Sequence, residues 1–234
     1  MKVKSSWQKL KKDFLEKSNN TPWLFINTGA RDGAFNMSFD NYLFYGLLNG
    51  KFQSPILRLY GWSEPTISLG VNQKMEDKST YSLPVVRRVT GGQAVFHEGS
   101  YNELTYSVCL FYSGGVKELY QKLGKVFFYF LQMYGLNPRF GYSDTDYRKH
   151  FNCFLSSTSS DIVVDDIKVI GSAQYREKKC ILQHGSIKLA KIRELSKGEV
   201  DFDSAVSTLK SSFAEVLKID FFNFLVSNAT LSLV

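Results

Sequence analysis

Residues 151–189 read FNCFLSSTSSDIVVDDIKVIGSAQYREKKCILQHGSIKL, and this stretch is the most informative in the chain. Its later part predicts β-structure, with DIVVDDIKVIGSAQY typical of a hairpin and ILQHGSIKL typical of a further strand. Its earlier part places Cys153 fifteen residues before Lys168. An ammonium group close to a thiol favours the thiolate, which is the form that attacks acyl groups. The stretch therefore predicts β-structure that carries a candidate activated nucleophile.

Outside this stretch, strands and helices alternate without a regular βαβ period. We predict strands at 23–29, 55–62 and 66–73, strands separated by glycine-containing turns over 83–111, and helices at 33–50, 116–136 and 200–219. The missing period favours an α+β fold over a doubly wound parallel sheet.

Size and composition indicate a globular chain without a membrane anchor. The 234 residues include 44% hydrophobic residues, which suffice for one large domain with a substantial core. The longest apolar runs fall far short of the roughly 20 residues of a membrane span, and the basic start lacks the apolar core of a secretory signal. We therefore expect no membrane span and a cytoplasmic location. Three cysteines without close metal-ligand spacing favour a reducing compartment and argue against a metal site.

Positive charge is concentrated at the start of the chain. The net charge is +7, and residues 1–20 contribute +4 through six lysines against Asp13 and Glu16. We interpret residues 1–20 as a basic amphipathic extension and residues 21–234 as the main domain. No RRM, KH or helix-turn-helix pattern accompanies the charge, so we expect no nucleic acid partner. Acidic protein partners fit the charge better.

Two further motifs are candidates for a binding pocket. RRVTGGQAVFHEG at 87–99 combines Arg88 with the adjacent Gly91 and Gly92, and such glycines let a ligand approach the main chain. GSAQ at 171–174 and QHGS at 183–186 are spaced as two strands joined by the polar loop YREKKC. Small residues on facing strands leave a narrow channel that suits an extended alkyl chain, although the spacing alone favours close packing of the sheet.

The remaining histidines and cysteines leave alternatives open. His97 and His184 are candidate general bases, but either also fits a hydrogen-bonded structural histidine, and His150 is interpreted as a surface residue. Cys109 in YSVCLF is predicted to be buried, and Cys180 is predicted to lie in a loop.

Several separate motifs together resemble one family. WLFINTG, AFNMSFD, LRLYGW, RRVTGGQAVFH, ELTYSV, and above all CF followed by DIVVDDIKVIGSAQYR and LQHGSI, are similar to the catalytic domain shared by biotin ligases, lipoate-protein ligases and lipoyl-pathway octanoyltransferases. The resemblance covers roughly residues 22–217 in order. It implies mixed, largely antiparallel sheets flanked by helices.

Within that superfamily, Cys153 and Lys168 make the chain most similar to octanoyl-acyl-carrier-protein:protein N-octanoyltransferases of the lipoate-ligase-like type. The resemblance implies Cys153 as the acyl-thioester nucleophile and Lys168 as the cation that lowers its pKa, with no ATP required. It implies octanoyl-acyl carrier protein as donor and a lipoyl domain or glycine cleavage H protein as acceptor. The substrate-binding residues implied are Arg88, Gly91, Gly92, His97, Gly171, Ser172, Gln174, His184 and Gly185.

The chain departs from the family pattern at two positions. The family usually carries glycine two residues before the lysine, where this chain has Asp166, a residue that also tolerates turns. Gln93 follows the Gly-Gly pair where a small residue is commoner, which predicts an altered pocket edge.

Three other functions remain open at this point. An ATP-dependent lipoate-protein ligase would use ATP and Mg, and Cys153 would then be incidental. An amidotransferase would take octanoyl from glycine cleavage H protein through the same nucleophile. A non-catalytic module that binds lipoyl domains or nucleic acid would retain partner binding without transfer from any donor.

Overall fold

The computed structural model describes residues 21–74, 82–99, 101–142 and 151–223. The predicted amphipathic extension at 1–20 and His150 lie outside the described residues. Within the described parts, we find no helix with the length and hydrophobicity that a bilayer span requires.

Two β-sheets form the framework of the fold. The strands are β1 (Trp23–Arg31), β2 (Ile56–Trp62), β3 (Thr66–Leu69), β4 (Val85–Arg87), β5 (Val95–His97), β6 (Glu103–Phe111), β7 (Arg139–Phe140), β8 (Ile162–Val164), β9 (Ile167–Glu177), β10 (Cys180–Lys188) and β11 (Phe221–Asn223). The large sheet has the order β11-β1-β2-β6-β10-β9-β8-β7, and the small sheet has the order β4-β3-β5. In the large sheet β1 pairs in parallel with β2 and β11, and the other pairs are antiparallel.

Four helices in the described residues cover the large sheet. They are α1 (Gly33–Leu48), α2 (Val116–Gln132), α3 (Leu189–Ser196) and α4 (Phe202–Leu217). Successive side chains of a strand point to opposite faces, so one set of apolar residues packs on α1 and the other set packs on α2, α3 and α4. Asp32 and Asp201 cap α1 and α4 by accepting hydrogen bonds from main-chain N–H groups in the first turn.

The predicted α+β class is confirmed, and the paired motifs have the expected register. In the β9–β10 hairpin, Gln174 lies opposite Gln183 and Ser172 lies opposite Gly185. The prediction of a loop over YREKKC was wrong, because β9 continues to Glu177 and the turn consists of Lys178 and Lys179, both with positive φ. Two residues of this conformation form the tightest hairpin connection.

The two-residue turn between β9 and β10 changes the predicted place of one cysteine. Because the turn ends at Lys179, Cys180 is the first residue of β10 and fully buried, not a loop residue. Burial raises the pKa of its thiol to about 12. Cys109 is buried in β6, as predicted.

Candidate active site

A cavity of about 380 Å³ lies between the two sheets and the segment that carries Cys153. Its volume is in the range of small-molecule sites. The sequence-predicted residues that line it are Cys153, Lys168, Arg88, Gly91, Gly92, His97, Gly171, Ser172, Gln174, His184 and Gly185. The fold therefore brings the whole predicted set into one cavity, while the chemical role of each residue stays a prediction.

The segment around Cys153 is fixed to the small sheet through Ala94. Cys153 begins a short 3₁₀ helix that ends at Leu155, and the side chain of Asn152 caps it by accepting from the Phe154 N–H at 3.0 Å. The Cys153 N–H donates to the Ala94 carbonyl at 2.9 Å, and the Ala94 N–H donates to the Phe151 carbonyl at 3.0 Å. These bonds hold Cys153, the candidate nucleophile, against the residue that precedes β5.

Lys168 reaches the cavity from the β8–β9 hairpin. The turn residues Asp165 and Asp166 both have positive φ, so aspartate occupies a left-handed position that glycine would also accept. The strand register shifts between Ile162 and Val163 of β8, where β9 carries one extra residue. Such a bulge re-aims neighbouring side chains, and here it lies next to Lys168.

The Lys168 ammonium has well-defined partners. Its Nζ donates to the Cys153 carbonyl at 2.7 Å and lies 3.0 Å from Oδ2 of Asp161. A longer bond of 3.4 Å reaches the Ser156 carbonyl. An ammonium has three N–H donors, so these three oxygen atoms account for all of them. Lys168 therefore binds the main chain of the Cys153 segment and forms an ion pair with Asp161.

Burial and charge act in opposite directions on the Cys153 thiol. Burial raises its pKa above the ordinary value, and Lys168 is the largest of the influences that lower it. Arg88 and Lys188 also lower this pKa, whereas Asp161 raises it. The pKa of Cys153 is raised overall, so the thiol form dominates near neutral pH in this structure. Lys168 acts on this pKa in the direction that favours the thiolate, but burial raises the pKa by more than Lys168 lowers it.

Phe154 separates two of these cations. Its ring lies 5.0 Å from Nζ of Lys168 and 4.9 Å from Nζ of Lys188. Such contacts stabilise an ammonium that is partly removed from water. The residue after Cys153 therefore contacts a lysine of β9 and a lysine of β10.

The two cavity histidines are held by buried carboxylates. His184 Nδ1 lies 3.0 Å from Oδ2 of Asp40, and its Nε2 lies 2.7 Å from Oγ1 of Thr90. The carboxylate beside Nδ1 can only accept, so this nitrogen donates to Asp40 and Nε2 shares a hydrogen bond with the Thr90 hydroxyl. Burial raises the pKa of Asp40, but Arg58 and His184 outweigh it and hold that pKa below its usual value.

His97 repeats the same arrangement. Its Nδ1 lies 2.6 Å from Oε1 of Glu103, and its Nε2 lies 2.8 Å from Oγ of Ser68. Burial lowers the pKa of His97, which favours the neutral ring. Burial alone would raise the pKa of Glu103, but Lys188 and His97 hold it well below the usual range. Both ring nitrogens of each cavity histidine are thus occupied by protein groups.

Arg88 connects the two histidine clusters and shapes the glycine loop. Its Nε donates to Thr90 Oγ1 at 3.1 Å, and its Nη1 donates to the main-chain and side-chain oxygens of Ser68. Its Nη2 donates to the carbonyls of Gly91 and Gln93 at 2.9 and 2.7 Å. The guanidinium therefore organises the cavity wall.

Gln93, the departure from the family pattern, also lines the cavity. Its Oε1 accepts from Nε2 of Gln73 at 3.0 Å, and Gln73 in turn accepts from the Gly70 N–H at 2.9 Å. Gly92 before it has a φ of +94°, which L-residues rarely adopt. The larger side chain is thus accommodated at the rim by a second glutamine.

A chain of polar side chains crosses the sheet beside the cavity. Gln174 Nε2 donates to Gln183 Oε1 at 2.6 Å, and Gln183 Nε2 donates to the Tyr106 hydroxyl at 2.8 Å. Tyr106 then donates to Ser172 Oγ at 2.6 Å. This chain fixes the side chains of Ser172 and Gln174, two of the predicted site residues.

Sequence reasoning missed Asp161, which lines the cavity, and the charged residues behind it, namely Asp40, Arg58, Glu103 and Lys188. One signal was present: Arg58 is the single charge in the apolar strand Ile56–Trp62, and a buried charge requires a partner. Its Nη1 lies 2.8 Å from Oδ1 of Asp40. No comparable pattern marks Asp161, although its partners Thr158 and Lys168 lie only three and seven residues away in the sequence.

Comparisons with known proteins agree with this architecture. Residues 32–223 match the family model described as the lipoyl protein ligase A/B catalytic domain. The chain is 36% identical over 184 residues to octanoyltransferase LipM of Kyrpidia tusciae, covering 71% of this chain and 66% of that relative. It is 35% identical over 185 residues to octanoyltransferase LipM of Bacillus subtilis, covering 71% and 65%. The match thus spans just under two thirds of the length of these relatives.

Solved structures show the same fold. The chain superposes on lipoate-protein ligase A bound with ATP with a TM-score of 0.70 at 21% identity, covering 91% of each chain. It superposes on a bipartite lipoate protein ligase of Thermoplasma acidophilum with a TM-score of 0.69 at 18% identity, covering 91% of this chain and 90% of that one.

Proposed function

The chain belongs to the lipoyl protein ligase A/B catalytic-domain family, and on that premise we propose that it transfers an octanoyl group from acyl carrier protein to the acceptor lysine of a lipoyl domain. The relatives named octanoyltransferase support this reaction over ATP-dependent ligation. The observation that carries the proposal is that Lys168 Nζ contacts the main chain of Cys153 within the cavity both residues line.

In the first step, the Cys153 sulfur attacks the thioester carbonyl of the donor. A new C–S bond forms to the enzyme, the bond to the carrier breaks, and the carrier thiol leaves with the proton lost by Cys153. Lys168 lowers the pKa of the thiol and is positioned to stabilise negative charge on the thioester oxygen. Main-chain N–H groups near Gly171 and Ser172 are further candidate donors.

In the second step, the amine of the acceptor lysine attacks the octanoyl-enzyme. A C–N bond forms, the C–S bond to Cys153 breaks, the proton lost by the amine returns to the Cys153 sulfur, and the product is an amide. Neither step consumes ATP. The donor would be octanoyl-acyl carrier protein and the acceptor a lipoyl domain or glycine cleavage H protein. The net charge of +7 favours partners with acidic surfaces, and a cytoplasmic site of action fits the three free cysteines.

Intact mass after incubation with octanoyl-acyl carrier protein tests the proposal. We expect a hydroxylamine-labile octanoyl adduct in the wild type and in the matched controls Cys109→Ala and Cys180→Ala, but not in Cys153→Ala. Absence of the adduct in the wild type would sink the proposal. Modification of a lipoyl domain by Cys153→Ala with lipoate and ATP would instead select a lipoate-protein ligase.

A further inference from the structure

Asp161 is the one acidic residue among the described residues that line the cavity. Its side chain is 4% exposed and lies 3.0 Å from Nζ of Lys168. The same nitrogen donates to the Cys153 carbonyl at 2.7 Å. The carboxylate and the nucleophile segment are thus both within hydrogen-bond distance of one ammonium group.

The two oxygens of Asp161 differ in their surroundings. Oδ2 accepts from the Thr158 N–H at 2.7 Å and from the Thr158 hydroxyl at 3.0 Å, in addition to its contact with Lys168. Oδ1 accepts no hydrogen bond from the described residues. One oxygen therefore fixes the carboxylate, and the other is left uncommitted on a side chain that lines the cavity.

The other groups near the cavity are already engaged. His97 and His184 have both ring nitrogens bonded to protein groups. Glu103 accepts from Lys188 and Ser186, and Asp40 is bound by Arg58, Tyr60 and His184. None of these has the combination seen at Asp161, a carboxylate oxygen without a partner on a cavity-lining side chain.

We propose that Asp161 accepts the proton released by the acceptor amine in the amide-forming step. This inference rests on the proposed function. The neutral amine attacks the thioester carbonyl, the C–N bond forms, and the nitrogen becomes positively charged. Asp161 Oδ1 takes one N–H proton, the C–S bond breaks, and the Cys153 thiolate leaves beside Lys168. The proton then passes from Asp161 to the Cys153 sulfur, which restores the thiol.

The charge of Asp161 has opposite consequences for the two steps. The charged groups that act on Cys153 are Lys168 on β9, Lys188 on β10, Arg88 beside the glycine loop, and Asp161 before β8. The first three lower the thiol pKa, and Asp161 raises it. Removing the carboxylate should therefore assist formation of the acyl-enzyme while it impairs the step that needs a proton acceptor.

The test measures the two half-reactions separately in Asp161→Asn. Asparagine keeps the shape and an oxygen that can accept from Thr158, but it cannot take a proton. The matched control is Asp165→Asn in the exposed β8–β9 turn, where asparagine tolerates the positive φ. Rates of acyl-enzyme formation are followed by intact mass, and transfer is followed from isolated octanoyl-enzyme to a lipoyl domain. Hydroxylamine serves as a second nucleophile, since its nitrogen is far more acidic than a lysine nitrogen after attack and loses its proton to water without a protein base.

We expect Asp161→Asn to form the acyl-enzyme at least as fast as wild type, with Cys153 alkylation shifted to lower pH. Transfer to the lipoyl domain should fall by about 10²-fold, while release by hydroxylamine stays unchanged. Unchanged transfer to the lipoyl domain would overturn the role of Asp161 and leave the proposed function intact. Equal slowing of acylation, transfer and hydroxylamine release would also overturn it, because that pattern indicates a structural role. Absence of any acyl-enzyme in the wild type would overturn the proposed function itself.

Discussion

Replacing Gly185 by alanine should push β9 and β10 apart at the cavity. An ideal Cβ at this position would lie 2.3 Å from the Gly171 carbonyl oxygen and 2.7 Å from Cε1 of Tyr106. It would also lie 2.9 Å from Oγ of Ser172. The nearest atom belongs to the main chain of β9, and Tyr106 is fully buried with its hydroxyl bonded to Ser172. No flexible side-chain end is available to move away.

The expected cost follows from this overpacking. An added methyl group that forces a backbone shift typically costs about 1–3 kcal/mol, and a main-chain contact places Gly185→Ala in the upper part of that range. For a chain of this size each kcal/mol lowers the melting temperature by about 2–4 °C. We therefore expect a decrease of about 5–10 °C. Octanoyl transfer should also slow, because Gly171 and Ser172 move with β9.

Thermal unfolding followed by circular dichroism, with calorimetry as a second method, measures this effect. Gly91→Ala is the matched control, because its Cβ would meet no atom within 4 Å. The control should stay within about 0.5 kcal/mol of wild type. A Gly185→Ala melting temperature within about 1 °C of wild type would refute the packing argument, since it would mean that the strands separate without cost.

Three further predictions concern charge and turn geometry. Lys168→Gln should slow alkylation of Cys153 at pH 7 about tenfold or more, because the largest influence that lowers the thiol pKa is lost. An unchanged alkylation rate at pH 7 would contradict this prediction. Asp166→Gly should leave the free energy of unfolding nearly unchanged, whereas Asp166→Val should lower it by about 1–2 kcal/mol, because residue 166 has a positive φ that a β-branched side chain disfavours. Urea unfolding measures both variants, and equal effects would contradict the turn argument. Glu103 has a folded-state pKa below its ordinary value of 4.5, so its stabilisation is present above that pH and is lost as the pH falls further. Urea unfolding from pH 6 to 3 should therefore show a steeper loss in wild type than in Glu103→Gln, and parallel curves would exclude this contribution.

The part of the site that sequence predicted correctly depends on short-range regularities. The β9–β10 hairpin has a strand period of two, so GSAQ and QHGS meet once the turn is fixed at two residues. The same hairpin carries Lys168 at its start, which places the lysine near the segment that precedes it in the chain. Local pattern thus specified both the strands and the neighbourhood of the candidate nucleophile.

The part that sequence did not predict depends on contacts between distant elements. Asp40 lies in the middle of α1 and meets His184 of β10, which is 144 residues later in the chain. A single aspartate in a helix otherwise looks like a solvated residue. The helix α3 was also missed, because its eight residues follow β10 directly and no side-chain cap marks its start at Lys188. The pairing of Asp40 with His184 can be predicted only once the packing of α1 on β10 is known.

The state of the Cys153 thiol has a consequence for how the proposed reaction begins. In this structure burial keeps the pKa of the thiol raised, and the three donors of Lys168 are all engaged. The longest of these bonds, 3.4 Å to the Ser156 carbonyl, is the one most easily exchanged for a thioester oxygen. An interaction that improves only as negative charge develops on that oxygen lowers the barrier without stabilising the resting enzyme. Under the proposed reaction, Lys168 therefore favours thiolate attack when the acyl donor is bound, while burial keeps the thiol protonated when the donor is absent.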